Sequence, residues 1–172
     1  NEENYDFVDG PIGILHYLNY VGCDNYVQKI VDLIYAKLIK NENFMFYNNY
    51  HYLEGIHFGY AHGIPSIIKV LDEIEDVSGK CEYIIRDLLS KLRDTIVSNE
   101  EYINGYRYYL PRSIHKSHIY DGKINFRAVL AWSNSDLNFS TLVYSLKPKY
   151  FTDELKELAD EIRKIAKKYK AF

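Results

Sequence analysis

Residues 58–65 of the chain are Phe58-Gly59-Tyr60-Ala61-His62-Gly63-Ile64-Pro65, a segment that holds one histidine between glycines and directly before an apolar run. Glycine lets the backbone turn tightly and lets another group approach the imidazole closely. The run that begins at Ile64 has helical spacing, so the sequence predicts His62 at the entrance of a helix. Histidine suits proton transfer near neutral pH when it is correctly placed.

Two other segments share this layout of a polar residue, a turn and an apolar helix. The first begins Tyr5-Asp6-Phe7-Val8-Asp9-Gly10-Pro11-Ile12-Gly13 and continues to Leu18. The second is Ala131-Trp132-Ser133-Asn134-Ser135-Asp136-Leu137-Asn138, in which the glycines are missing.

These segments resemble the motifs of the lanthionine synthetase C (LanC) family, the cyclases of lanthipeptide biosynthesis. Members carry, in order, Tyr-Asp-x-x-x-Gly-x-x-Gly, Gly-x-Ala-His-Gly-Ile-x-Gly, Trp-Cys-Tyr-Gly and Cys-His-Gly. The first two motifs are nearly complete here, and the third is recognisable by Trp132 and the pair Asp136-Leu137. No Cys-His-Gly segment occurs in the 172 residues. The resemblance starts near Tyr5 and covers a middle portion of a full family member.

The periodicity of apolar residues predicts six helices arranged as three hairpins, each with a short helix followed by a longer and more charged one. The first two predicted faces are Ile12, Leu15, Leu18 and Tyr20, and Tyr26, Ile30, Leu33, Ile34, Leu38 and Ile39. The fourth is Ile84, Ile85, Leu88, Leu89, Leu92 and Ile96. Thr152, followed by Asp153 and Glu154, predicts the start of the last helix. The resemblance implies an all-α fold in which helical hairpins form part of an α/α toroid with inner and outer layers. Residues 1–172 are predicted to be a single LanC-like domain. Because three hairpins cannot close such a ring, either further hairpins belong to the same protein or a second chain covers the open flanks; a partial chain is the preferred interpretation.

Two long connections interrupt the helical pattern, at about residues 41–58 and 98–131. They contain short strand-like runs such as Tyr106–Leu110, and their aromatic content argues against disorder. Loops of this length in a compact domain are commonly functional.

The resemblance assigns catalytic roles to two residues. His62 matches the general acid/base histidine of the family, and Asp6 matches the aspartate before the first glycine motif. From the residues alone, His62 could instead be a capping or core histidine, and Asp6 could cap the helix that starts near Pro11.

The resemblance also implies zinc, held by two cysteines and a histidine with a fourth position open to the substrate thiol. Here Ser133 occupies the position of one ligand cysteine, and a neutral hydroxyl is a poor zinc ligand. Cys23 and Cys81 lie outside the motif positions, so no intact metal site is predicted. His115, His118 and Asp121 have a spacing that could hold a metal, although a polar loop is the simpler interpretation.

Composition restricts the class of protein. The net charge is −3 with both signs interspersed, which does not indicate a nucleic-acid binder, and no apolar run is long enough for a transmembrane segment. Two cysteines without metal-type spacing favour a reduced, cytoplasmic compartment. The chain opens on Asn1 without a methionine, which indicates a processed or partial chain.

Three functions follow as expectations. The first is zinc-dependent lanthionine formation, in which a cysteine thiolate of a precursor peptide adds to a dehydrated Ser or Thr, with a dehydratase or a further toroid segment as possible partner. The second is a metal-free LanC-like pseudoenzyme, or peptide- or protein-binding module, that keeps only the scaffold. The third is glycoside hydrolysis, which needs two carboxylates across a cleft; the candidates, which nothing in the sequence pairs, are Asp6, Asp9, Glu54 and Asp121.

Overall fold

The computed structural model describes residues 5–8, 10–40, 47–48, 55–98, 101–103, 106–108, 110, 113–120, 123–124 and 135–169. Within these ranges the helices are α1 (Pro11–Tyr20), α2 (Asp24–Lys40), α3 (Ile64–Glu73), α4 (Lys80–Ser98), α5 (Ser135–Ser145) and α6 (Asp153–Tyr169). The strands are β1 (Tyr47–Asn48), β2 (Gly55–His57), β3 (Glu101–Ile103), β4 (Tyr106–Tyr108), β5 (Ser113–His115), β6 (Ile119–Tyr120) and β7 (Lys123–Ile124). Helices dominate, which confirms the all-α prediction.

The helices form three hairpins in two layers, as predicted. α1 packs on α2, α3 on α4 and α5 on α6. The short helices α1, α3 and α5 lie side by side with α3 in the middle, and the long helices α2 and α4 pack together behind them. α6 is tied to α4 by an ion pair between Arg93 and Glu154, 3.2 Å apart. This is the arrangement of inner and outer helices in a segment of an α/α toroid.

The core runs between the two layers. The predicted stripe of α4 is fully buried, and so is the apolar face of α3. Burying each such side chain contributes roughly 1.5–3 kcal/mol relative to leaving it in water. The central position of α3 explains why it is buried on most sides, because it contacts helices of both layers.

The apolar faces predicted for the first hairpin were partly wrong. Tyr20 is 84% exposed and Leu33 is 69% exposed, and Tyr26 and Ile39 also face outward. The buried stripe of α2 is Val27, Val31, Ile34 and Leu38. The prediction had rotated part of the face by one residue, which is about 100° around a helix.

The turn between α1 and α2 depends on one glycine. Gly22 has a φ of +73°, and the backbone N–H groups of Gly22 and Cys23 donate to the carbonyls of Asn19 and Leu18. This is a Schellman motif, whose left-handed position favours glycine. It reverses the chain and starts the second helix of the hairpin.

The two long connections meet in an antiparallel sheet. Its order is β1-β2-β5, so β2 from the first connection pairs with β5 from the second, with His57 opposite Ser113. β3 pairs with β4, and β6 with β7. The predicted run at Tyr106–Leu110 therefore contains a strand, β4. In the described part of the chain, no helix has both the length and the apolar character needed to cross a membrane.

Candidate functional site

Asp6 and His62 are in direct contact although they lie 56 residues apart. His62 Nδ1 is 2.6 Å from Asp6 Oδ2. The Asp6 side chain is 1% exposed, whereas that of His62 is 35% exposed. A buried carboxylate therefore holds one nitrogen of an imidazole that is still accessible from outside.

The second carboxylate oxygen of Asp6 is also occupied. The backbone N–H of Val8 donates to Asp6 Oδ1 over 2.6 Å. An aspartate that accepts from the backbone two residues later forms an Asx turn. Both oxygens thus accept hydrogen bonds, so the carboxylate has one orientation with respect to His62. The Val8 amide was not among the sequence-based candidates, although the Asx-turn pattern was a signal for it.

Aromatic neighbours fix the segment that carries Asp6. Tyr5 is buried, and the Lys37 ammonium of α2 lies 5.5 Å from the centre of its ring. On the other side of Asp6, the rings of Phe7 and His16 are 5.7 Å apart. The segment is therefore anchored to both helices of the first hairpin.

The glycines of the first motif let this segment lie directly on α1. A Cβ at Gly10 would come within 2.6 Å of the Asp6 backbone, and one at Gly13 would overlap the carbonyl oxygen of Phe7. Real Cβ contacts do not reach such distances. Asp6 consequently sits against the first turn of α1.

The second motif works in the same way. A Cβ at Gly63 would lie 2.6 Å from the Gly59 carbonyl oxygen and closer still to that of His57. The end of β2 and the turn that carries His62 therefore fold tightly onto the start of α3.

Both helices begin alike. Gly10 and Gly63 are the N-cap residues of α1 and α3, both in an extended conformation, and neither helix start receives a side-chain hydrogen bond from its cap. Since α1 and α3 are neighbours, two positive helix ends lie close to the buried Asp6 carboxylate. This arrangement stabilises negative charge at the site.

The third segment approaches the same place. The side-chain nitrogen of Asn138, in the first turn of α5, is 3.8 Å from the position that a Cβ of Gly59 would occupy. Trp132 and Ser133 lie outside the described residues, as do Asp9, Glu54 and Asp121. The helix that follows Trp132 thus begins beside the His62 turn.

The N-terminal ends of α1, α3 and α5 form the rim at which Asp6 and His62 meet. Neither cysteine lies near this rim. Cys23 follows the far end of α1, and Cys81 lies in the first turn of α4, beyond the far end of α3. Burial raises the pKa of the Cys81 thiol to about 12. The rings of His115 and His118 are 6.1 Å apart, and His115 Nδ1 bonds to the Ser117 hydroxyl. Among the described residues, no three His, Cys, Asp or Glu side chains are grouped so that they could hold a metal ion.

The family model described as "Lanthionine synthetase C-like protein" matches residues 1–170. No curated protein and no solved structure matches the chain.

Proposed function

The chain belongs to the lanthionine synthetase C-like family, and from this premise we propose that it takes part in lanthipeptide-type modification of a peptide. The proposed reaction is the addition of a cysteine thiol to a dehydrated Ser or Thr side chain, which closes a thioether ring. The observation that carries the proposal is the 2.6 Å contact between buried Asp6 and accessible His62.

The contact determines which nitrogen of His62 can act. Because a carboxylate oxygen only accepts, His62 Nδ1 carries the hydrogen and donates it to Asp6. In the neutral ring, Nε2 then has a free lone pair. This is the orientation that a general base needs, with a carboxylate that fixes the tautomer.

His62 alone can account for both proton transfers of the reaction. His62 Nε2 accepts the proton of the substrate thiol, and the sulfur forms a bond to the β-carbon of the dehydrated residue. The double bond becomes an enolate, which takes a proton at its α-carbon from the imidazolium. The two helix N-termini beside the pair favour the negative charge that develops. Nothing is oxidised or reduced.

The residues of this chain do not fit the zinc site of the family. Ser133 replaces one thiolate ligand, and Cys23 and Cys81 lie at the opposite end of the helix layer from His62. Zinc prefers thiolate and imidazole ligands to a neutral hydroxyl. We therefore assign no step of the reaction to a metal.

Ser133 also supports a second candidate function. A LanC-like module that has lost its metal would bind a peptide or protein at the rim without closing a ring. In that case His62 and Asp6 would be retained as parts of the scaffold.

Further partners are part of the proposal. Most of the large apolar side chains that are exposed in the described residues belong to the first hairpin or to the segment before it, among them Ile14, Tyr17 and Leu33. Repeat arrays normally bury such a flank against another repeat, which supports packing against a further toroid segment. A dehydratase would supply the dehydrated peptide. Free cysteines favour the cytoplasm as the site of the reaction.

The test uses a synthetic peptide with one dehydroalanine and one cysteine, and ring closure is followed as loss of the alkylatable thiol. His62→Ala should reduce the rate by about 10²–10⁴-fold, the usual contribution of a general acid–base group. His115→Ala is the matched control. This exposed histidine lies opposite Gly55, at the start of β2 rather than at the end that leads to His62, and its loss should not affect the rate.

A normal rate in His62→Ala would refute the proton-transfer role. Peptide binding without ring closure in the unaltered protein would favour the binding module. Stoichiometric zinc that is required for turnover would show that ligands other than those named here complete the metal site.

A further inference from the structure

Gly59 differs from the other glycines that the structure describes. Gly22 and Gly79 have positive φ, and a Cβ at any of the others would overlap backbone atoms: Gly10, Gly13, Gly55 and Gly63. Gly59 does not have a positive φ, and among the described residues its Cβ would meet only the Asn138 side chain, at an ordinary 3.8 Å. Within the described residues, neither packing nor backbone conformation requires a glycine here.

Among the described residues, the Asn138 side chain is the nearest neighbour of the space that a Cβ of Gly59 would occupy. It is half-buried on α5. Its amide has no hydrogen-bond partner in the part of the chain that the structure describes. A half-buried amide can both donate and accept, so it is suited to hydrogen-bond the N–H and C=O groups of a main-chain peptide. Gly59 lies three residues before His62, on the same turn.

We infer that Gly59 and Asn138 form a subsite for the main chain of the bound peptide, next to the residue that reacts at His62. The missing side chain of Gly59 lets an extended peptide approach the protein backbone closely. The Asn138 amide hydrogen-bonds a peptide group of that chain. This inference rests on the proposed function and adds the contact that positions its substrate.

The decisive variant is Gly59→Ala, with Gly63→Ala as its matched control. Both add one methyl group to the same turn. Gly63→Ala should lower the Tm because its Cβ overlaps the backbone of β2. Gly59→Ala should leave the Tm unchanged and weaken binding of the peptide, with a Kd at least about tenfold higher, because the methyl group occupies the space of the substrate main chain.

Asn138→Ala provides a second measurement. Loss of one hydrogen bond should raise the Kd of the same dehydroalanine- and cysteine-containing peptide by roughly two- to tenfold, with little effect on Tm. The peptide carries a fluorophore, so that binding is followed by anisotropy with the complete chain. His62→Ala serves as the reference for the chemistry, since it should bind the peptide normally while ring closure fails.

The outcomes separate the subsite from the proposed reaction. If Gly59→Ala binds the peptide normally, or lowers the Tm as much as Gly63→Ala does, the subsite is refuted even where His62→Ala is inactive. If the unaltered protein binds the peptide, never closes the ring and loses binding in Gly59→Ala, the cyclase proposal fails and the subsite stands. If the unaltered protein does not bind the peptide, both are overturned.

Discussion

The hydrogen bond between Asp6 and His62 predicts a coupling energy that can be measured without any substrate. Comparing Asp6→Asn, His62→Gln and the double variant with the unaltered protein isolates the interaction between the two side chains. Asn and Gln keep the approximate size of each side chain, so packing changes little.

The expected size follows from the burial of the two partners. Exposed ion pairs are worth about 0.2–1 kcal/mol, whereas a buried hydrogen bond to a charged group is worth about 1.5–3 kcal/mol. Asp6 is 1% exposed and its bond to His62 is short at 2.6 Å, but His62 is 35% exposed to screening water. We therefore expect a coupling of about 1.5 kcal/mol, near the lower end of the buried range.

The assay is urea unfolding of the four proteins at pH 7, and the chain contains its own control. His16 and Glu73 form a second histidine–carboxylate pair, 3.4 Å apart, with side chains that are 46% and 39% exposed. The same cycle on that pair should give less than about 1 kcal/mol and vanish in high salt. A coupling for Asp6 and His62 no larger than the control would refute the view that burial fixes the imidazole.

Three further predictions concern other parts of the chain. Gly13→Ala should lower the free energy of unfolding by about 1–3 kcal/mol, as in overpacked cores, because the new methyl group overlaps the Phe7 carbonyl; urea unfolding measures the loss. At pH 8 iodoacetamide should modify half-exposed Cys23 in the native protein and spare Cys81, whose thiol has a pKa of about 12 and forms very little thiolate; labelling of both at equal rates, read by peptide mass, would contradict the burial. Thr152→Ala should cost about 0.5–2 kcal/mol in thermal unfolding because the Thr152 hydroxyl accepts a backbone N–H in the first turn of α6, and an unchanged Tm would show that the cap contributes nothing.

Local signals in the sequence were sufficient for several of these features. Thr152 before two acids predicted the start of α6, and its hydroxyl does cap that helix. The 3.6-residue period located α4 and its buried stripe from Ile84 to Ile96. These elements are determined by contacts between near neighbours in the chain, which a pattern can represent.

The predictions were wrong or missing where tertiary packing determines which side of a helix is buried and which strands pair. Leu33 and Val31 are both apolar residues at helical positions of α2, and only the location of α1 and α4 makes Val31 the buried one. Likewise, no pattern showed that β2 pairs with β5, because their partners lie more than fifty residues apart. Apolar spacing defines a helix more reliably than it defines which side of the helix is covered.

The proximity of Asp6 and His62 was predictable because of how the hairpins repeat. Asp6 precedes α1 and His62 precedes α3, and these helices are neighbours in one layer that both start at the same rim. Residues placed just before successive inner helices must therefore converge, even when 56 residues separate them in the chain. The motif glycines then bring the convergence within hydrogen-bonding distance, since Gly13 and Gly63 let each incoming segment lie on a helix start without a side chain in between. A substituent at either glycine should thus separate Asp6 from His62 while the helices remain intact. The coupling energy between the two side chains would then fall in a variant that is still folded.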